Sequence, residues 1–174
     1  MTAEPAKNKA TYQDLFTVPD GMTAEIIDGE LVVSPKLSPR HALATTALGS
    51  KIPPKYDFGE GGGPGGWVIL PEVEIMFGDD LLAPDWICEI ISPSTVGKVR
   101  IVKMNIYARF DVSHCWLIDP RDRILEVFKL QAGFWTRIGA FMDDARVRVE
   151  PFPEVELGLG GFWVEEDMAS PVES

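Results

Sequence analysis

Apolar positions come in short blocks punctuated by proline, glycine and aspartate, and the period inside each block predicts its element. Thr11 ahead of Tyr12-Gln13-Asp14-Leu15-Phe16 reads as a capped short helix that stops near Pro19. Residues 24–27 and 31–34 flank Asp28-Gly29, a pair suited to a two-residue hairpin turn. Ser38-Pro39 places an N-cap and a first-turn proline ahead of a helix running through Ala47. Residues 67–77 predict a strand turning at Gly78-Asp79-Asp80. Trp86-Ile87-Cys88-Glu89-Ile90-Ile91 is a near-continuous apolar run and predicts a central strand, broken by Pro93. Residues 98–109 follow a helical period, with Val99, Lys103, Ile106, Tyr107 and Phe110 on one stripe. His114-Cys115-Trp116-Leu117-Ile118 is a further buried strand, stopped by Asp119-Pro120, and 124–130, 134–141 and 146–149 form an antiparallel tail. The order predicts an α/β core, a sheet with helices packed on it, and not an alternating doubly wound fold.

Length and composition fit one domain: 174 residues, 45% hydrophobic and 25% charged. The expected limits are a tail over residues 1–10, a domain over 11–164 and an acidic tail over 165–174. No apolar run reaches membrane-span length, and no apolar stretch follows Lys7 and Lys9 as a signal peptide requires. Cys88 and Cys115 sit inside apolar segments and read as buried thiols of a cytoplasmic protein. The net charge of −11 argues against nucleic acid wrapped over the whole surface. Its distribution changes that picture. Residues 31–56 and 90–110 hold no Asp or Glu, while Lys36, Arg40, Lys51 and Lys55 lie in the first and Lys98, Arg100, Lys103 and Arg109 in the second. One basic face is compatible with an acidic total, and it permits a phosphate-backbone partner.

Among residues able to carry chemistry, Glu89 is the most informative. It interrupts a run of large apolar side chains, where an unpaired carboxylate would cost several kcal/mol or be forced neutral. It therefore either lies on the exposed face of an edge strand or has a partner, a metal ion or a lysine. Lys103, on the inward stripe of the following helix, offers that partner; its alternative is a side chain snorkelling at the stripe's rim. Strand alternation puts Asp85 on the same face as Glu89, but four residues of strand span about 13 Å, too far for both to bind one ion directly. Glu72 and Glu74 share a face of the preceding predicted strand; a hairpin there would bring Glu74 near Asp85 and Glu72 nearer Glu89. Glu25 and Glu30 flank the Asp28-Gly29 turn as hairpin charges. His41 and His114 lack partners at zinc-ligand spacing, and no Gly-x-Ser-x-Gly elbow occurs. The glycine-rich stretch 59–66 lacks the Gly-Lys-Ser/Thr ending of a phosphate-binding loop.

The hairpin Ala24-Glu25-Ile26-Ile27-Asp28-Gly29-Glu30-Leu31-Val32, the segment from Ser34-Pro35 to Ser38-Pro39-Arg40-His41, and the phrase Ala83-Pro84-Asp85-Trp86-Ile87-Cys88-Glu89-Ile90-Ile91-Ser92-Pro93-Ser94-Thr95 together resemble the Uma2 (DUF820) family. Lys103-Met104 with Ile106-Tyr107-Ala108, then Trp116-Leu117-Ile118-Asp119-Pro120, continue the likeness. The resemblance implies a restriction-endonuclease-like PD-(D/E)XK core: a mixed central sheet flanked by helices, with an N-terminal hairpin. It implies a DNA endonuclease in which acidic side chains hold Mg²⁺ or Mn²⁺ and a lysine stabilises developing charge. On this chain the strand glutamate falls on Glu89, the lysine on Lys103 and an upstream glutamate on Glu25 or Glu30. Asp85 and Glu89, completed by Glu74 or Glu25, would be the metal ligands. A homodimer is a further implication of the resemblance.

Two departures bear on catalysis. Members of the family carry two Pro-Asp phrases, whereas Pro84-Asp85 here matches the first when read from the left and the second when read from the right. The segment between them reads as lost, so that the metal-binding aspartate is missing or Asp85 serves both roles. Val99 also precedes Arg100 where the family carries an Asp. The competing expectation is accordingly a catalytically degenerate relative that binds nucleic acid or protein through the same fold.

Overall fold

Asp28 and Gly29 both take positive φ, 49° and 84°, as a tight hairpin turn of this hand demands. They join β1 (Met22–Ile27) to β2 (Glu30–Pro35), each longer than the alternation predicts. Ahead of them Tyr12–Thr17 forms a 3₁₀ turn, where the Asp14 carboxylate accepts hydrogen bonds from the Thr11 amide (2.7 Å) and hydroxyl (2.8 Å). The structure is a computed structural model that describes residues 9–36, 38–73, 75–77 and 81–163. The chain divides into two units, Met1–Ser38, which holds this hairpin, and Pro39–Ser174.

In the second unit α1 (Pro39–Lys51) and the short α2 (Pro53–Tyr56) precede β3 (Trp86–Ile90). A helical run follows: α3 (Val96–Lys98), a π-helical turn over Val99–Lys103, and α4 (Met104–Arg109). Then come β4 (His114–Asp119), β5 (Ile124–Gln131), β6 (Phe134–Met142) and a separate pair, β7 (Arg146–Val147) with β8 (Leu157–Gly158). The main sheet has the order β3-β4-β5-β6; β3 and β4 are parallel and the remaining pairs antiparallel. β4 ends where the Asp119 side chain accepts the amides of Arg121 (3.0 Å) and Asp122 (3.1 Å), a local turn that competes with further ladder.

Each face of the sheet buries its own cluster. Trp116, Ile118, Leu125 and Val127 pack with Ala44, Ala47, Ile52 and Tyr56 of the first helices and with Phe152, Leu157 and Phe162 of the C-terminal segment. On the opposite face Ile87, Cys115 and Leu117 meet Val99, Met104 and Tyr107 of the helical run. The run is tied to the sheet by the Trp135 indole N–H, which donates to the Met104 carbonyl at 2.7 Å.

Two expected strands differ from the observed chain. The described residues of 67–77 join no ladder. The Trp67 amide donates to the Tyr56 carbonyl (3.0 Å) and the Ile69 amide to the Asp57 carboxylate (3.3 Å), so the segment's start is tied to the end of α2 and not to a strand. Pro71 has no N–H to give, and Glu72 has φ of 51°, outside the extended region. The alternation is nevertheless real: Trp67 and Ile69 are half-buried while Val68 and Leu70 are exposed. The second difference is Arg146–Val147, which pairs with Leu157–Gly158 and does not extend the antiparallel tail. The predicted turn at Gly78-Asp79-Asp80 lies outside the described residues.

Candidate active site

β3 is an edge strand among the described residues, and alternation turns Ile87 and Glu89 toward the face covered by the helical run. The connection is short and pinned: the Ser92 amide donates to the Thr95 hydroxyl (2.9 Å), and the Val96 amide returns to the Ser92 carbonyl (2.9 Å). The helix therefore starts at a fixed point beyond the strand and lies back over it. In the π turn the Met104 amide bonds to the Val99 carbonyl, five residues back, which widens the coil by one residue. Val99, Met104 and Tyr107 become the buried line, so the predicted stripe shifts phase at Lys103.

At the turn's end the Lys103 ammonium sits 3.0 Å from Glu89 Oε1. One turn on, the Tyr107 hydroxyl donates to the same oxygen. Both charged side chains are only 16% exposed, so the pair has lost most of its water, and the tyrosine supplies a further donor that the buried carboxylate needs. Glu89 does lie on an edge strand, but its side chain is on the covered face and paired, not on an exposed one. His41 stands at the start of α1, near enough to Glu89 to feel its charge. His41 is held below its usual pKa first by burial, against the opposing charges of Glu72 and Glu89. Its Nε2 lies 3.7 Å from Glu72 Oε1, which also accepts the Thr45 hydroxyl at 3.4 Å.

The other expected residues are placed differently. Asp85 is exposed just ahead of β3, its carbonyl accepting the His114 amide at 3.1 Å, and it remains a four-residue strand length from Glu89. Glu74 lies outside the described residues. Glu25 and Glu30 are exposed on the β1–β2 hairpin, opposite Val32 and Ile27 respectively. Among the described residues no group of three or more His, Cys, Asp and Glu side chains comes together to hold a metal ion. The described donors thus bring one carboxylate to the centre and do not make up a Mg²⁺ or Mn²⁺ shell. Cys88 and Cys115 are free, and burial foremost pushes both thiols well up, leaving no thiolate for chemistry.

A second carboxylate on this face escapes a reading by spacing. The register runs Glu89 to Leu117 to Glu126, one row across three strands. Glu126 is buried and is met by Arg100 of the π turn and by Arg137 of β6 at 3.0 Å. Burial raises its pKa, but the hydrogen bonds and charges of the two arginines outweigh that and hold it below the ordinary glutamate value. The available signal was the one that singles out Glu89: Ile124-Leu125-Glu126-Val127-Phe128 is an apolar strand interrupted by one acid.

A mixed sheet with helices packed on both faces defines a protein of the α/β class. Residues 67–160 match the Uma2 family, described as "Putative restriction endonuclease", and the chain belongs to that family. Its fold is also that of a crystal structure from Anabaena variabilis ATCC 29413, described as a "putative nuclease belonging to DUF820". That structure aligns over 88% of this chain and 97% of its own with TM-score 0.55 and 21% identity. No curated protein matches significantly. No helix among the described residues is long and apolar enough to cross a membrane.

Proposed function

We propose that this chain engages the phosphodiester backbone of DNA at the Glu89–Lys103–Tyr107 centre and hydrolyses it there. The observation that carries the reading is the dehydrated Glu89–Lys103 pair, at 3.0 Å, inside the segment that matches the family. A phosphate entering the centre would draw the Lys103 ammonium and the Tyr107 hydroxyl toward its oxygens, where they stabilise developing negative charge. Glu89, released from them, would accept a hydrogen bond from the attacking water and orient it. The family likeness implies Mg²⁺ or Mn²⁺ as an assisting ion; Glu89 is the described carboxylate at the centre that could hold it, and Asp85 stands too far along the strand to share it directly.

A second reading, a non-catalytic relative that binds nucleic acid, is favoured by one specific observation. Asp85 stands about 13 Å of strand from Glu89, and Glu89 Oε1 is taken by Lys103 and Tyr107. Nicking of supercoiled plasmid, with and without Mg²⁺ or Mn²⁺, separates the two. Hydrolysis predicts cleavage that falls about a hundredfold or more in Lys103→Ala and Glu89→Ala. A folded wild-type protein that leaves the plasmid supercoiled would sink hydrolysis and leave the binding reading.

A further inference from the structure

Two local irregularities aim two arginines at one buried carboxylate. The π turn places Arg100 over Glu126, one turn ahead of Lys103 over Glu89. On the other side, the register of β5 with β6 slips between Val127 and Phe128: Val127 faces Gly139 and Phe128 faces Arg137, leaving Ile138 as an extra residue. Without that bulge, strand parity would turn Arg137 to the opposite face of the sheet from Glu126. With it, Arg137 donates to Glu126 Oε1 at 3.0 Å. Single π turns and β-bulges both gather at functional sites, where they re-aim side chains.

The stoichiometry is not that of a simple neutral pair. Two guanidiniums face one carboxylate, so the group carries one positive charge in excess. Glu126 is enclosed, at 10% side-chain exposure, while Arg100 and Arg137 keep 38% and 59% exposed. Each arginine has five N–H donors in a planar fork, and Glu126 uses only part of them. Glu126 therefore holds both forks in place with their remaining donors toward solvent. Two strand spacings separate Glu126 from Glu89 in their shared row, about 10 Å.

We propose that Arg100 and Arg137, positioned by Glu126, form a phosphate-binding site that takes a backbone phosphate of the DNA strand lying across the Glu89 centre. The inference rests on the reading above that DNA is the ligand, and concerns its binding, separately from its hydrolysis. Arg137 is the residue to change, because Arg100 then still pairs with Glu126 and the sheet keeps its buried acid neutralised.

The test is binding of a short fluorescent DNA duplex, read by polarisation across a salt series with a chelator present so that no hydrolysis enters. Arg137→Gln, its fold checked by a cooperative melting transition, is expected to bind about five- to tenfold more weakly, and its log affinity to fall less steeply with log salt by about 1. Arg137→Lys, which keeps the charge and loses the fork, is expected to lie between the two with the wild-type slope. Should Arg137→Gln disturb folding, Arg137→Lys decides alone by its affinity. Wild-type affinity and slope in the Gln variant, wild-type affinity in a Lys variant that decides alone, or no binding by the wild type, would overturn the site. Plasmid nicking read in parallel keeps the outcomes apart: binding that depends on Arg137 without any cleavage removes hydrolysis and leaves this site. Cleavage with binding indifferent to Arg137 does the reverse.

Discussion

Glu89 and Glu126 meet the same physical demand, an acid on a buried face, with different partners. Glu89 shares one lysine and one tyrosine hydroxyl; Glu126 is held by two arginines. The second arrangement has a clear pH signature. The native pKa of Glu126 lies below its unfolded value. The unfolded chain thus binds the proton more readily, and the stabilisation is present above the ordinary glutamate value, near pH 4.3 or so. It is lost as pH falls through the lower native value. Arg100→Gln is expected to raise the native pKa, so that urea midpoints begin to fall at higher pH than in the wild type. At neutral pH it should cost about 1–2 kcal/mol, near or below the bottom of the range for a charged hydrogen bond, because Arg100 is partly screened by water. Midpoints that fall in parallel for the two proteins would mean that Glu126 does not titrate as described.

At the scale of elements, glycine positions report how helices and loops are held. Gly49 lies in α1 with nothing near its missing side chain, so Gly49→Ala is expected to stabilise the protein by about 0.5–1 kcal/mol. Gly63 contrasts with it. A Cβ there would stand 2.5 Å from the Lys55 carbonyl oxygen and 2.7 Å from its Cα, where the loop folds back on α2. Gly63→Ala should destabilise by about 1–3 kcal/mol, since backbone must move to admit it. Denaturant unfolding of both variants checks the pair, and equal effects would contradict the close approach. The loop thus uses glycine to pack against its own chain. The strand expected over 67–77 failed at the same scale: an alternating pattern requires a two-sided environment, and the end of α2 with the first cluster supplies one without a ladder.

Across the whole second unit, the face of the sheet opposite the candidate site is built round one side chain. Phe152 is fully buried and stands edge-on to Tyr56, Trp67, Trp86 and Trp116 at centroid distances of 4.7 to 5.6 Å. It joins α2, the loop after it, β3, β4 and the C-terminal segment. Phe152→Ala is expected to cost about 3–5 kcal/mol, read by urea unfolding, because four elements lose contact with one removed ring. A loss below 1 kcal/mol or so would mean the cluster repacks freely, unlike a close-packed core. The charge of the molecule is divided in a similar way. An acidic total coexists with the acid-free run 90–110, which carries Arg100 and Lys103 onto the other face.

Local chemistry determined the elements whose signals are contained within a few residues. Asp28-Gly29 suits positive φ at both positions, Pro39 opens a helix, and the short apolar, β-branched runs at Trp86–Ile90 and His114–Asp119, bounded by proline and aspartate, form strands. The Glu89–Lys103 pair was legible as one of the open alternatives, since an acid in such a run calls for a partner unless it is exposed and the next helix offered one. Tertiary structure decided what depends on register. Whether Arg137 faces Glu126 hangs on one extra residue in a bulge, and whether Arg100 does hangs on one extra residue in a helical turn. Neither leaves a mark in the local pattern, because a shift of one position reverses a strand's faces and rotates a helix by about 100°.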